Sequence, residues 1–277
     1  MKPINDPQVV ATEYTDDQSL RIRIETHRRY TVGEDLEQSI AGVLQLEGDE
    51  SLLDVGTGPG DFPGRLKRAS HRGRIVGIDL SAGMVEKARA HHPEAEFLQA
   101  NAMALPFESA TFEVVTARHM LYHVPEVGKA LEECRRVLKP GGRFLAVTNP
   151  DGYMREFWSA VTEAVRDDPD FADLLEEITH PKFFHDHLLS LVERTFGNAR
   201  LRIVQSHLVF PAPEPVLDYW DSMCGLRDAS PSAWARGREA LARVLPSRLE
   251  PGPWQVSKRV ALIVARAAFD LIQPVRG

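Results

Sequence analysis

Between residues 50 and 150 short apolar runs alternate with segments whose apolar residues recur at helical spacing. The runs SLLDV (51–55), RIVGID (74–79), AEFLQA (95–100), FEVVTA (112–117) and RFLAVTN (143–149) read as strands. They are rich in Val, Ile, Leu and Phe and lack strict polar alternation, as strands buried on both faces of a parallel sheet do. Between them, Ser81 stands where an N-cap would start a helix over AGMVEKARAHH (82–92). In PEVGKALEECRRVL (125–138), Val127, Ala130, Leu131, Cys134, Val137 and Leu138 share one helical face. KPGG should end that helix, because Pro140 cannot continue it and the glycines supply a turn. Strand and helix alternate five times, which predicts a doubly wound α/β sheet with its ligand site at the carboxyl ends of the strands.

Outside this region the pattern is looser. GEDLEQSIAGVLQL places Leu36, Ile40, Val43 and Leu44 on one face, a helix suited to packing on the sheet. Residues 1–32 are polar, end in the basic-aromatic RIRIETHRRY, and suit an arm better than a domain. REFWSAVTEAVRD (155–167) and DHLLSLVERTF (186–196) read as helices, RLRIVQSHLVF (200–210) and SKRVALIVARA (257–267) as strands. Between those strands a Pro-punctuated stretch, 211–255, carries Tyr219, Trp220, Trp234 and Trp254. These aromatics suit a lid over an acceptor molecule, and helical core packing explains them nearly as well.

The 277 residues allow one large domain or two small ones, and 43% hydrophobic with 26% charged residues is ordinary for a globular chain. A net charge of -7 argues against a nucleic-acid partner, because phosphate binding needs a Lys/Arg excess. Cys134 and Cys224 are the two cysteines, too few for a structural zinc site or a disulfide framework. Cys134 falls on an apolar helical stripe and reads as a core thiol. MKPINDPQVV lacks the apolar segment of a secretory signal, and no stretch has the length of a membrane span. The expectation is a cytoplasmic protein without a membrane partner.

Chemistry concentrates in LLDVGTGPGDF (52–62). Gly56, Gly58 and Gly60 follow Asp54 at the end of a strand, and alternating glycines leave backbone open to close approach. The dinucleotide fingerprint G-x-G-x-x-G does not fit, because its sixth position here is Asp61. An acid there opposes a pyrophosphate at a helix N-terminus, so a ligand of little negative charge fits better. Asp79 closes the next strand, 19 residues past Gly60, where a carboxylate can accept from both hydroxyls of a ribose. Capping of the helix at Ser81 is the other role open to it.

LLDVGTGPG resembles the signature [DE]-x-G-x-G-x-G of class I S-adenosylmethionine-dependent methyltransferases. GIDLS (77–81), ANAMALPFESATFEVV and RVLKPGGRFLAVT resemble later signatures of that family, in its order, over about residues 50–150. The resemblance implies one Rossmann-like domain around a seven-stranded sheet, mostly parallel with an antiparallel last strand. Residues 46–210 and 256–277 would form the core, 1–45 a helical arm and 211–255 a lid insert. It implies S-adenosyl-L-methionine as cofactor, held by Asp54 at the methionine end and by Gly56, Thr57, Gly58 and Gly60. Asp79, with Leu80 and Met84, would sit at the ribose, although a helix-face methionine is as readily plain core. Asn101 stands where the family often has an acid for the adenine amino group, and its amide oxygen can still accept; Ala102 and Met103 would flank the adenine.

Methyl transfer from a sulfonium needs in-line alignment and, for a protonated nucleophile, a base. The loop ARHMLYHVPE after the fourth strand offers Arg118, His119, Tyr122 and His123. His119 is the leading base, with His123 behind it; Arg118 would hold an acidic acceptor group or the cofactor carboxylate. His123, before Val124-Pro125, can equally be a packing residue. The loop lacks the [DN]-P-P-[YF] of base and glutamine methylases, and no acid cluster suggests a magnesium site. In THRRYT (26–31), Tyr30 and Arg29 are further cofactor-pocket candidates, with a solvated basic face the plainer alternative. The expected function is metal-free methylation of an O, N or C atom of a small molecule by a monomer or homodimer. The rivals are an NAD(P)-dependent oxidoreductase, a non-catalytic S-adenosylmethionine-binding protein, and ring methylation of a quinone precursor at a membrane, which the acidic chain favours least.

Overall fold

In the computed structural model, residues 18–179, 185–223 and 230–268 are described. The apolar runs form β2 (Leu52–Val55), β3 (Ile75–Asp79), β4 (Glu96–Gln99), β5 (Phe112–Arg118) and β6 (Leu138–Thr148). Pairings β2–β3, β2–β5, β3–β4 and β5–β6 are all parallel, and β2 is buried at every position. That double burial is why these runs carry no polar alternation. With β1 (Thr31–Gly33), β7 (Arg200–Phe210) and β8 (Trp254–Arg266) the strands form one sheet, ordered β1-β7-β8-β6-β5-β2-β3-β4.

The last strand is antiparallel, as expected. Gly141 donates to the Ala267 carbonyl and Ala267 to that of Gly142, which sets the end of β8 against the start of β6. The seven expected strands are joined by β1, which pairs antiparallel with β7 through Thr31, Val32 and Gly33. Three residues with no apolar pattern left no sequence signal for it.

The helices are α1 (Gln18–Tyr30), α2 (Leu36–Leu44), α3 (Asp61–Arg68), α4 (Ala82–His91) and α5 (Val127–Val137). They continue with α6 (Arg155–Val165), α7 (Ala172–Thr179), α8 (His185–Phe196), α9 (Glu214–Asp221) and α10 (Pro231–Leu249). Ser81 caps α4 by accepting from Met84 N over 3.3 Å. Helix α5 ends at Val137 and the chain turns straight into β6, so the strand starts before KPGG instead of after it. Pro140 and the glycines form an irregularity inside the strand: Phe112 pairs Leu138, but Val114 pairs Arg143. Helix α3 gave no apolar signal because it contains Pro63 and Gly64. The proline sits in the first turn, where it costs no hydrogen bond. A Cβ on Gly64 would lie 2.1 Å from the His92 ring.

The chain divides into two compact units. The first comprises the described parts of Met1–Ser39, Asn149–His185 and Ile203–Ala261; the second those of Ile40–Thr148, Asp186–Arg202 and Leu262–Gly277. In the first, Tyr219, Trp220, Trp234 and Trp254 belong to a core with Phe157, Phe171 and Phe210. Trp220 and Trp234 stack at 4.1 Å, and each indole N–H donates to the other residue's carbonyl. Core packing therefore accounts for the four aromatics of 211–255. In the second unit Cys134 is fully buried and burial pushes its thiol up to about 12, as a core thiol requires. Cys224 lies outside the described residues. Among the described residues no helix is long and apolar enough to cross a membrane, and no group of three or more His, Cys, Asp or Glu could hold a metal ion.

Candidate cofactor site at the glycine turn

All of the turn's own geometry lies in the second unit. β2 ends at Val55, and Gly56, Gly58 and Gly60 follow at φ 67°, 56° and 84°, left-handed values that favour glycine. Thr57 N donates to Ile78 O and Gly60 N to Thr57 O, which tie the turn to β3 and to itself. At Gly60 and Gly56 the space beside the backbone is filled by the chain's own side chains. A Cβ on Gly60 would lie 2.8 Å from the Phe97 ring, and one on Gly56 2.6 Å from the Met120 side chain. These glycines make room for the protein's own side chains as well as adopting a special backbone.

Asp79 is held in place by that turn. One carboxylate oxygen accepts from Gly58 N at 2.8 Å, the other from Ser81 N at 2.9 Å. Burial raises its pKa, and the backbone donors Ser81, Gly58 and Leu80 oppose the rise. Three backbone donors leave one of the carboxylate's four acceptor directions open to a ligand hydroxyl. The carboxylate thus bonds the backbone at Ser81, where the next helix begins. Leu80, next along, is 50% exposed, an apolar surface beside the acid. Met84 is 1% exposed and packs in the interior.

Asp54 is buried, and Thr116 Oγ1 donates to its Oδ1 over 2.6 Å. Burial drives its pKa up, opposed by the charge of Arg118 and the Thr116 hydroxyl, then by Arg65. Arg118 sits over the Phe62 ring, with its guanidinium carbon 4.3 Å from the ring centroid. Neither Phe62 nor Met120 carries a sequence signal that marks it as a neighbour of this site. Thr116 left one clue, a lone polar residue in the apolar FEVVTA.

His119 follows Arg118 at φ 50°, an uncommon backbone for histidine, and its N–H donates to Val147 O. Tyr122 and His123 lie in a short 3-10 turn with ring centroids 4.5 Å apart. Asn101 Oδ1 accepts from Met103 N at 2.9 Å, which commits one of its two acceptor directions, while Ala102 is buried beside it. Tyr30 and Arg29 belong to the first unit, where Tyr30 packs on Phe210 and Arg29 lies 5.5 Å from the Tyr30 ring centroid.

The family described as a methyltransferase domain matches residues 53–146, which span the glycine turn, Asp79, Asn101 and His119. A 27-O-demethylrifamycin SV methyltransferase of Amycolatopsis mediterranei is 33% identical over 190 residues, covering 62% of this chain and 67% of that protein. A demethylmenaquinone methyltransferase of Lactococcus lactis is 43% identical over 103 residues, 35% of this chain and 41% of that protein. The chain thus spans about two fifths of the length of this second relative. A solved structure from Anabaena variabilis, provisionally named a methyltransferase from an antibiotic biosynthesis pathway, superposes with a TM-score of 0.62 at 15% identity, covering 82% of this chain and 95% of that one. That likeness shows the fold. Family and fold imply an S-adenosylmethionine-type cofactor, and a glycine turn clasping a strand-end carboxylate fits its ribose. The chain belongs to the class I S-adenosylmethionine-dependent methyltransferases of the small-molecule type.

Proposed function

We propose that the protein transfers a methyl group from S-adenosyl-L-methionine to a small-molecule acceptor by in-line displacement, releasing S-adenosyl-L-homocysteine. The observation that carries this is the Asp79 carboxylate, oriented by Gly58 N and Ser81 N at the end of β3. Asp79 receives a ribose hydroxyl, and the turn from Gly56 through Thr57 and Gly58 to Gly60 shapes the floor. Leu80 covers the adenine, whose amino group meets Asn101 between Ala102 and Met103. Asp54 and Arg118 present opposite charges suited to an amino-acid zwitterion. Tyr30 and Arg29 remain arm candidates, and Met84 supports the site from the interior.

When bound, the cofactor supplies a methyl group made electrophilic by its sulfonium. His119 orients the acceptor and takes its proton where it carries one; its left-handed backbone is the kind of local strain that accompanies functional side chains. His123 is the second candidate for that proton. The name of the Amycolatopsis relative supports an oxygen acceptor. Carbon methylation of a quinone precursor is the second reading, supported by the name of the Lactococcus relative over a shorter match. Residues 1–45 and 211–255 of a single domain would choose between them.

Calorimetric titration with S-adenosylhomocysteine, with NADH in parallel, tests the cofactor. Binding of the first alone is the expected result. Binding of NADH alone would replace the methyltransferase reading with that of an oxidoreductase.

A further inference from the structure

The first unit holds a polar aromatic cluster that the glycine-turn site does not use. Three elements build it: His27 from α1, Tyr153 from the turn before α6, and Tyr219 from α9. Tyr153 Oη lies 3.0 Å from His27 Nε2, and Tyr219 Oη 3.5 Å from the same nitrogen. The Tyr219 ring meets the imidazole edge-on at 5.6 Å. The two phenols are themselves linked, and Arg23 of α1 adds its positive charge at Tyr219 while donating to the Ser222 carbonyl.

A phenol facing the lone pair of a neutral imidazole nitrogen donates to it, and burial pushes the Tyr219 phenol above its ordinary pKa, which keeps it a donor. One ring nitrogen has a single lone pair, so it takes one phenol proton at a time. The second hydroxyl then hydrogen-bonds to the first, which gives a short relay ending on a base. Packing alone would be served by phenylalanine at both tyrosine positions. Tyr219 is 5% exposed, whereas His27 and Tyr153 are only half-buried, so the relay has an open side.

We propose that His27, Tyr153 and Tyr219, with Arg23, form a binding site within the first unit for a small molecule carrying an acidic hydroxyl, phenolic or enolic. As such a hydroxyl binds, its O–H bond breaks and the proton passes to the Tyr153 oxygen. The Tyr153 proton passes at the same time to His27 Nε2. The electron pair stays on the ligand oxygen, and phenolate faces imidazolium with Arg23 as a second cation. Charge and protons balance without another reactant.

The probe is 4-nitrophenol, whose phenolate form is coloured, titrated into the full-length protein at a fixed pH below its own pKa. Wild type should bind it with a rise in phenolate absorbance. His27→Gln and Tyr153→Phe should each lower the bound phenolate-to-phenol ratio about tenfold, one pKa unit. S-adenosylhomocysteine affinity and melting temperature should stay at their wild-type values in both. Should His27→Gln fail to fold, Tyr153→Phe, which deletes one oxygen atom, decides. A wild type that binds S-adenosylhomocysteine but yields no phenolate overturns the proposal, and so do variants that keep the phenolate signal. A wild type that forms phenolate but ignores S-adenosylhomocysteine would overturn the cofactor reading and leave the hydroxyl site standing.

Discussion

The Thr116 hydroxyl donates to the Asp54 carboxylate over 2.6 Å, from a strand position paired in register with Asp54 itself. The bond orients an acid whose pKa burial raises, with Arg118, the Thr116 hydroxyl and Arg65 opposing the rise. Because the folded pKa is raised, the stability linked to Asp54 is fully present below its ordinary value of 3.8 and is lost as pH rises through the folded value. Asp54→Asn should therefore raise the melting temperature at pH 7, and the gain should vanish as pH falls toward 3.8. The same variant should bind S-adenosylhomocysteine about tenfold more weakly. Thermal melts across pH, paired with calorimetry, check both signs.

Asp79→Asn should cost more binding and, unlike Asp54→Asn, should lower the melting temperature as well. An amide can present only one oxygen, so its NH2 must face either Gly58 N–H or Ser81 N–H, donor against donor. Loss of the charged acceptor for a ribose hydroxyl is expected to weaken S-adenosylhomocysteine by about 1.5–3 kcal/mol, roughly 10- to 150-fold. Wild-type affinity in this variant would remove Asp79 from the cofactor site.

His119→Ala should leave S-adenosylhomocysteine binding unchanged and lower methyl transfer about 10²- to 10⁴-fold. Tritiated S-adenosylmethionine with any hydroxyl acceptor that wild type methylates gives the readout. Unchanged kcat would move the proton to His123.

Gly60→Ala is expected to destabilise by about 2–4 kcal/mol, combining a positive φ with a clash against the Phe97 ring. Gly48→Ala is the control: its φ is also positive, but no atom lies within 4 Å of the added Cβ, so backbone strain of about 1 kcal/mol is all it should show. Urea denaturation of the pair separates packing from conformation. Equal losses would mean that Phe97 yields freely.

Glu50 offers a pH test away from the site. Burial pushes its pKa up, but the backbone N–H groups of Glu47 and Gly48 and the Arg143 guanidinium outweigh that and hold it at about 2. Its contribution is present above the ordinary 4.5 and is lost as pH falls toward 2. Glu50→Gln should cost about 2 kcal/mol at pH 7 and converge with wild type in that acid range. A constant difference across the range would contradict the assignment.

The sequence by itself determined the parallel core and the cofactor motif, because both are local. Buried strands such as LLDV and IVGID show unbroken apolar runs, and the glycine turn and Asp79 mark short-range backbone requirements. What only the tertiary structure decided involves partners distant in the chain. Phe97 fills the space left at Gly60, Met120 that at Gly56, and Thr116 orients Asp54 from 62 residues away. Strand β1 has three residues and exists through its pairing with β7, and the aromatics of 211–255 became core once Trp220 met Trp234. The His27 cluster draws on three elements, with Tyr153 126 residues from His27 and Tyr219 192. No periodicity records such a meeting, because spacing along a chain encodes faces of single elements, whereas folding chooses which faces meet.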